Sequence, residues 1–300
     1  MKYATFEHGG RERVGLVDTA AGRIHPLDVD GMIAILARPR VPMPDLQGGG
    51  LDLAEVRLLA PIPRPHRNIF CVGKNYREHA REFTKSGFDS SAHSAGEAIP
   101  DVPIIFTKVP ETVIGSGEEI LYPAGISAAL DYEAELGVVI GKGGRHIPRS
   151  AAADCVWGYT IINDVTARDW QARHKQWFLG KSFDTFCPMG PWLVTADEVD
   201  AFNLSIRCWV NDELRQDANT GDLIFDIPTL IETISSGITL YAGDIIATGT
   251  PKGVGVGFDP PRYLRPGDCV RIEIDGLGIL VNRVGLNSDE RSHLPPVETQ

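Results

Sequence analysis

Three acidic residues at alternate positions, Asp131, Glu133 and Glu135 in the stretch LDYEAELGVVIGKGG, precede a run that reads as a buried strand. In an extended chain alternate side chains leave the same face, so all three carboxylates would project together. Like charges on one face repel, and Glu is a poor strand former. A bound cation removes the conflict; an edge facing open water avoids it. The next strand-like run, GYTIINDV, delivers Asp164 at its end. Glu133, Glu135 and Asp164, with no cysteine among them, are a hard-oxygen set that suits Mg²⁺, Mn²⁺ or Ca²⁺ and not Zn²⁺. The competing reading is a solvated edge strand with ordinary surface acids.

In VGKNYREHAREF, His79 and Glu82 lie three apart on a predicted helix and share a face. A carboxylate behind an imidazole orients it and raises its basicity, which suits a general base. An exposed pair on a solvated helix has the same spacing. Lys181, in FLGKSFDTFCPMGPW, is either a fixed cation for a developing oxyanion or a chain snorkelling from a strand end. Lys108 in FTKVPE carries the same two readings. The glycine-rich GDIIATGTPKGVGVG lacks the phosphate-loop spacing. A strand running into Thr248-Gly249-Thr250-Pro251 would either leave amides and hydroxyls free to hold a carboxylate or make a tight turn. TARDWQARHK predicts a helix opened by Thr166, with Asp169 as its capping-box-like partner. His25, His66, His146 and His174 read as surface or packing residues. His93 falls in a polar segment, from about Thr84 to Asp101, that reads as a mobile lid.

The elements that must position these residues are short and mostly β. Residues 1–60 predict a small β-rich domain with hairpin breaks at Gly9-Gly10 and Ala21-Gly22, and the proline-rich APIPRPHRN marks a boundary. From 66 to 285, strand-like runs outnumber helical patterns near 75–86, 150–154, 166–176 and 227–237, with no regular βαβ alternation. That predicts a mixed, β-rich α+β fold. Residues 286–300 read as a polar tail. At 300 residues and 43% hydrophobic the chain is of ordinary globular composition. A net charge of −11 argues against nucleic acid or an anionic membrane as partner, though a metal and local cations can still reverse the field in a pocket for a small anion. No apolar run spans a membrane, the N-terminus lacks a signal-peptide core, and the five scattered cysteines suit a reducing cytoplasm.

Taken in order, GKNYREHARE, PIIFTKVPETVIGSGEEI, DYEAELGVVIGK, GYTIINDVTARDWQ, LGKSFDTFCPMGPW and ITLYAGDIIATGTPKGVG resemble the fumarylacetoacetate hydrolase superfamily over about residues 66–285. The resemblance implies a mixed β-roll catalytic domain, a small N-terminal β domain and a homodimer. It implies a divalent metal, Mg²⁺ or Mn²⁺ ahead of Ca²⁺, on Glu133, Glu135 and Asp164. It also implies a base pair at His79 and Glu82, an active-site lysine at Lys181, and substrate contacts at Gln171 and Thr250, to which Lys108 is added as a candidate. The substrates implied are small 2-oxo acids. The expected reaction is hydrolysis of a C–C bond in an acylpyruvate, with water activated by His79 and a pyruvate enolate leaving. Oxaloacetate decarboxylation and hydroxymuconate-type isomerisation use the same enolate, and a catalytically silent metal-binding member is the alternative of another class. The lid matches no version tied to one substrate.

Overall fold

The computed structural model describes residues 1–38, 44, 46, 49–89 and 98–286. Residues 90–97 of the lid segment, His93 among them, and residues 287–300 of the tail fall outside those residues. The fold is mixed α+β and dominated by sheet. Five helices are named here: α1 (Met32–Leu36), α2 (Arg77–Ser86), α3 (Arg168–Arg173), α4 (Phe178–Lys181) and α5 (Ile227–Ser235). No helix among the described residues is long and apolar enough to cross a membrane.

The larger sheet begins with the N-terminal strands. Lys2–His8 and Arg11–Asp18 form a hairpin across Gly9-Gly10, whose φ values of 60° and 71° are the paired left-handed residues that a tight hairpin turn requires. Lys2–His8 then pairs with Cys187–Thr195, so this hairpin continues directly into the central sheet. From there the order runs through Val156–Asn163, Ala134–Ile140, Ile245–Ala247, Ile69–Gly73 and Ile104–Lys108. The proline-rich connector is partly buried: Ala60, Pro61 and Ile62 are covered, and the Pro61 carbonyl accepts from the Thr5 hydroxyl at 2.7 Å. A second sheet orders Glu213–Asn219, Ser205–Val210, Cys269–Ile274, Gly278–Leu286 and Glu119–Tyr122.

Burial follows from how these sheets stack. Every residue of Ala134–Ile140 is buried, as a strand covered on both faces must be. Leu136, Val138 and Ile140 enter the main core with Ile206, Ile272 and Leu280 of the second sheet. Val139 faces the opposite core with Ile162 and Ile245. Ser205–Val210 alternates buried with half-exposed, the signature of a sheet wet on one side. Helix α5 turns Ile227, Leu230, Ile231 and Ile234 inward, and Asp226 caps its N-terminus by accepting from the Thr229 amide at 3.0 Å.

Strand direction decides where the chemistry collects. Ala134–Ile140 runs antiparallel to Val156–Asn163, with Ala134 opposite Asn163, so the start of one lies beside the end of the other. It is also antiparallel to Ile245–Ala247, with Gly137 opposite Ala247. Residues 133–135, Asp164 and Thr248–Thr250 therefore meet at one end of the sheet. Ile69–Gly73, parallel to Ile245–Ala247, carries the chain to the same end and into α2.

Candidate active site

Glu133, Glu135 and Asp164 each offer one oxygen within a group spanning 4.8 Å, and all three are buried. Backbone contacts fix them. The Glu133 amide donates to Asn163 Oδ1 at 3.0 Å, the Asp164 amide to the Glu133 carbonyl at 2.9 Å, and the Gly249 amide to Glu135 Oε2 at 2.9 Å. Lys181 Nζ donates to Glu133 Oε2 at 2.7 Å and to Asp164 Oδ2 at 2.9 Å. Arg168 Nη1 lies 2.7 Å from Glu133 Oε1. Burial alone would raise the Glu133 pKa, but Lys181 and then Arg168 outweigh it and hold it at about 2. Glu135 has no cation in contact with it among the described residues, and Lys181 at longer range does not offset its surroundings. Burial first, then the neighbouring Asp164 and Glu133 carboxylates, push it well above the usual carboxylate range. Lys181 goes up despite burial because Asp164 and Glu133 face it. Counting Asp131 and Lys108, four buried carboxylates meet three buried cations. The donor set is all oxygen and one positive charge short, so it fits a divalent cation.

Lys108 is not placed as a substrate contact. Its ammonium donates to Asp164 Oδ1 at 2.7 Å, to the Val165 carbonyl at 3.1 Å and to the Lys181 carbonyl, which uses its three donors. It holds Asp164 from behind. Lys108→Met should therefore destabilise by about 3–5 kcal/mol, the cost of breaking a buried pair. Urea unfolding would check this, and an unchanged midpoint would contradict it.

Asp131 also departs from expectation. It belongs to a separate two-residue strand, Leu130–Asp131, and is not one of the three grouped carboxylates. Its Oδ1 accepts from the Gly255 amide at 2.6 Å, and its Oδ2 from the Val256 amide at 3.0 Å and Arg168 Nε at 2.8 Å. Helix α3 starts at Arg168 with Ala167 at its cap and no side-chain capping bond, so the Thr166–Asp169 capping box does not form. Thr166 instead donates to the Asp164 carbonyl, and Asp169 accepts from Ser127.

Beside the triad lies a narrow, tightly filled cavity. His79, Glu133, Glu135, Arg168, Gln171 and Lys181 form its polar wall, Thr250 closes one side, and Phe83, Phe106 and Trp177 supply the apolar surface. His79 is buried on α2, stacked on Phe83 with centroids 6.0 Å apart, and its Nδ1 lies 3.4 Å from Glu82 Oε2. The tautomer that donates Nδ1–H to Glu82 leaves Nε2 as the basic nitrogen. Residues 68–285 match the family model described as fumarylacetoacetate (FAA) hydrolase C-terminal. The chain belongs to the fumarylacetoacetate hydrolase family. Residues 1–61 match the model described as Rv2993c-like, N-terminal.

Individual family members are similar over most of the chain. Oxaloacetate tautomerase YisK of Bacillus subtilis (strain 168) is 53% identical over 235 residues, covering 78% of this chain and 75% of that protein. The structure of fumarylacetoacetate hydrolase from Exiguobacterium antarcticum superposes with a TM-score of 0.83 at 39% identity, over 96% of this chain and all of that one. Maleylpyruvate hydrolase from Sphingobium sp. SYK-6, solved with manganese(II) and pyruvate, gives 0.74 at 32% identity over 96% of this chain and 100% of that one.

Two cavity residues were not singled out from sequence. Arg168 is buried, and its Nη2 has no hydrogen-bond acceptor among the described residues. Its spacing of three from Gln171 on a helix was the available signal; Nη1 donates to Gln171 Oε1 at 3.2 Å. Lys74, in the left-handed region at φ 56°, turns the chain from strand to helix and pairs with Asp89 at 2.7 Å. The Gly-rich loop, read from sequence as either a holder of a carboxylate or a tight turn, spends its amides on the protein's own carboxylates: Gly249 on Glu135, Gly253 on Glu82, Gly255 and Val256 on Asp131.

Proposed function

We propose that this enzyme interconverts the keto and enol forms of oxaloacetate, or of a closely similar 2-oxo dicarboxylic acid, with a divalent cation on Glu133, Glu135 and Asp164. What carries the reading is the convergence on one small cavity of the buried His79, backed from outside by the half-buried Glu82, with a carboxylate triad and a guanidinium N–H that has no acceptor among the described residues. The 53% identity to a protein named oxaloacetate tautomerase supports the choice of reaction, and the manganese in the maleylpyruvate hydrolase relative supports the cation.

A divalent cation there would supply Lewis-acid polarisation of the keto oxygen and compensate the charge of an enolate. The chain's own groups do the rest. His79 Nε2 takes a proton from C3 of the keto acid, and Glu82 steadies the imidazolium through Nδ1–H. The same imidazolium returns that proton to the enolate oxygen, so one C–H bond is exchanged for one O–H bond and nothing leaves. Arg168 Nη2 and the Gln171 amide are the donors for substrate carboxylate, while Lys181 holds Glu133 and Asp164 in register and adds positive charge near the developing enolate.

The second reading, hydrolysis of an acylpyruvate, draws on the likeness to maleylpyruvate hydrolase; there His79 takes its proton from water. A direct test follows the ultraviolet absorbance of oxaloacetate enol with enzyme and Mg²⁺ or Mn²⁺, alongside pyruvate release and a panel of acylpyruvates. Tautomerisation predicts fast equilibration with total oxaloacetate conserved. Acylpyruvate cleavage without faster equilibration would replace it with the hydrolytic reading.

A further inference from the structure

Gly257 ends a short helical turn, Gly255–Gly257, that packs against α2. A Cβ placed on it would lie 2.1 Å from Glu82 Oε1, 2.2 Å from Cδ and 2.5 Å from Cγ. All three distances are far inside van der Waals contact, and all three atoms belong to one side chain. The backbone at Gly257 is not in the left-handed region, so alanine is conformationally allowed there. The closest clash of a methyl group there is with Glu82.

Glu82 is held in place by two contacts. Its oxygens accept from the Gly253 amide at 3.1 and 3.2 Å, and Oε2 faces His79 Nδ1 at 3.4 Å. It also borders an outer cleft of about 510 Å³ with Lys85, Ser86 and Phe258. A displaced Glu82 therefore has somewhere to go. Moving it costs little packing but removes the acceptor that fixes the imidazole.

We infer that Gly257 is a positioning residue for proton transfer: the absence of a side chain there is what lets the Glu82 carboxylate sit against His79. The inference rests on the reading of His79 and Glu82 as the base pair. Gly257→Ala should lower kcat about 100-fold, the loss that a displacement near 1 Å causes at a reacting group. KM, Mn²⁺ affinity and the melting temperature should hold near wild type, which a general loss of packing would not allow.

The test is a double-mutant cycle with Glu82→Ala, using oxaloacetate or, if it is not turned over, an acylpyruvate, since both readings need the pair. In the Glu82→Ala background Gly257→Ala should cost nothing more, because nothing is left to displace. Wild-type kcat in Gly257→Ala, with Glu82→Ala impaired, overturns the positioning role and leaves the base pair standing. A full-strength kcat in Glu82→Ala overturns both. A further drop in the double variant shows that Gly257 acts by another route and also overturns the inference. Should the single variant fail to fold, the double variant, free of the clash, decides: a kcat equal to that of Glu82→Ala supports the inference, and a lower one removes it.

Discussion

Replacing His79 by alanine is expected to lower oxaloacetate turnover by about two to four orders of magnitude, the usual worth of a positioned general base. Divalent-cation binding should survive, because His79 is not one of the three grouped carboxylates. The residue is buried and stacked on Phe83, so part of any loss could come from packing. His79→Gln, which fills more of the space without the basic nitrogen, separates the two: it should be as inactive as alanine yet melt nearer to wild type. Glu82→Gln should fall in the same direction by less, since it only orients the imidazole. The hydrolytic reading makes the same demand on His79 with an acylpyruvate as substrate. Cation-replete His79→Ala working near the wild-type rate on both substrates would remove the base and the proton route with it.

Local spacing made part of this site readable in advance. Glu133 and Glu135 share a face because alternate residues in extended chain must, and His79 meets Glu82 because residues three apart on a helix are neighbours. Asp164 was findable as the acid that ends the next strand, and antiparallel register does the rest. What stayed hidden depends on contacts between distant positions. Asp131 looks identical to Glu133 in the alternating pattern, yet amides 124 and 125 residues onward claim it. Lys108 and Lys181 carry the same two readings in sequence, a fixed cation or a snorkelling chain, and only packing shows that one is spent behind Asp164 while the other lines the cavity. The loop after Ile245–Ala247 read equally as a tight turn or as a source of amides for a carboxylate, and its amides do hold carboxylates. Which carboxylates they hold cannot be told without the fold, because a backbone N–H binds a glutamate and a substrate by the same physics. The continuity of the N-terminal hairpin with the central sheet was equally invisible, since no local pattern marks which strand Lys2–His8 will pair with.

Glu135→Gln should do two opposite things: stabilise the metal-free protein and cripple the enzyme. Burial and the adjacent carboxylates raise the Glu135 pKa above the ordinary value of about 4.3. A carboxyl whose pKa is raised by folding adds stability that is complete below the unfolded pKa and is lost as pH rises through the folded one. Wild-type protein in chelator should therefore lose stability from about pH 4 upward across that window. Glu133 acts in the reverse sense: held at about 2, it contributes stability above the ordinary carboxylate range that is lost as pH falls toward 2. Glutamine at 135 keeps an oxygen for the Gly249 amide and turns N–H donors toward the neighbouring carboxylates, so the upper window should vanish. The cation loses a ligand by the same change. Its affinity should fall by more than the roughly 10–100-fold that a supporting partner is worth. Turnover should fall on the order of a thousandfold, since Lewis-acid stabilisation is worth several kcal/mol and about 1.4 kcal/mol is tenfold. Thermal melting in chelator across pH, paired with Mn²⁺ calorimetry, reads both effects. Unchanged Mn²⁺ binding in Glu135→Gln would move the metal site elsewhere. A wild-type melting curve with no decline above pH 4, or a variant no more stable than wild type at neutral pH, would show that Glu135 carries no uncompensated charge.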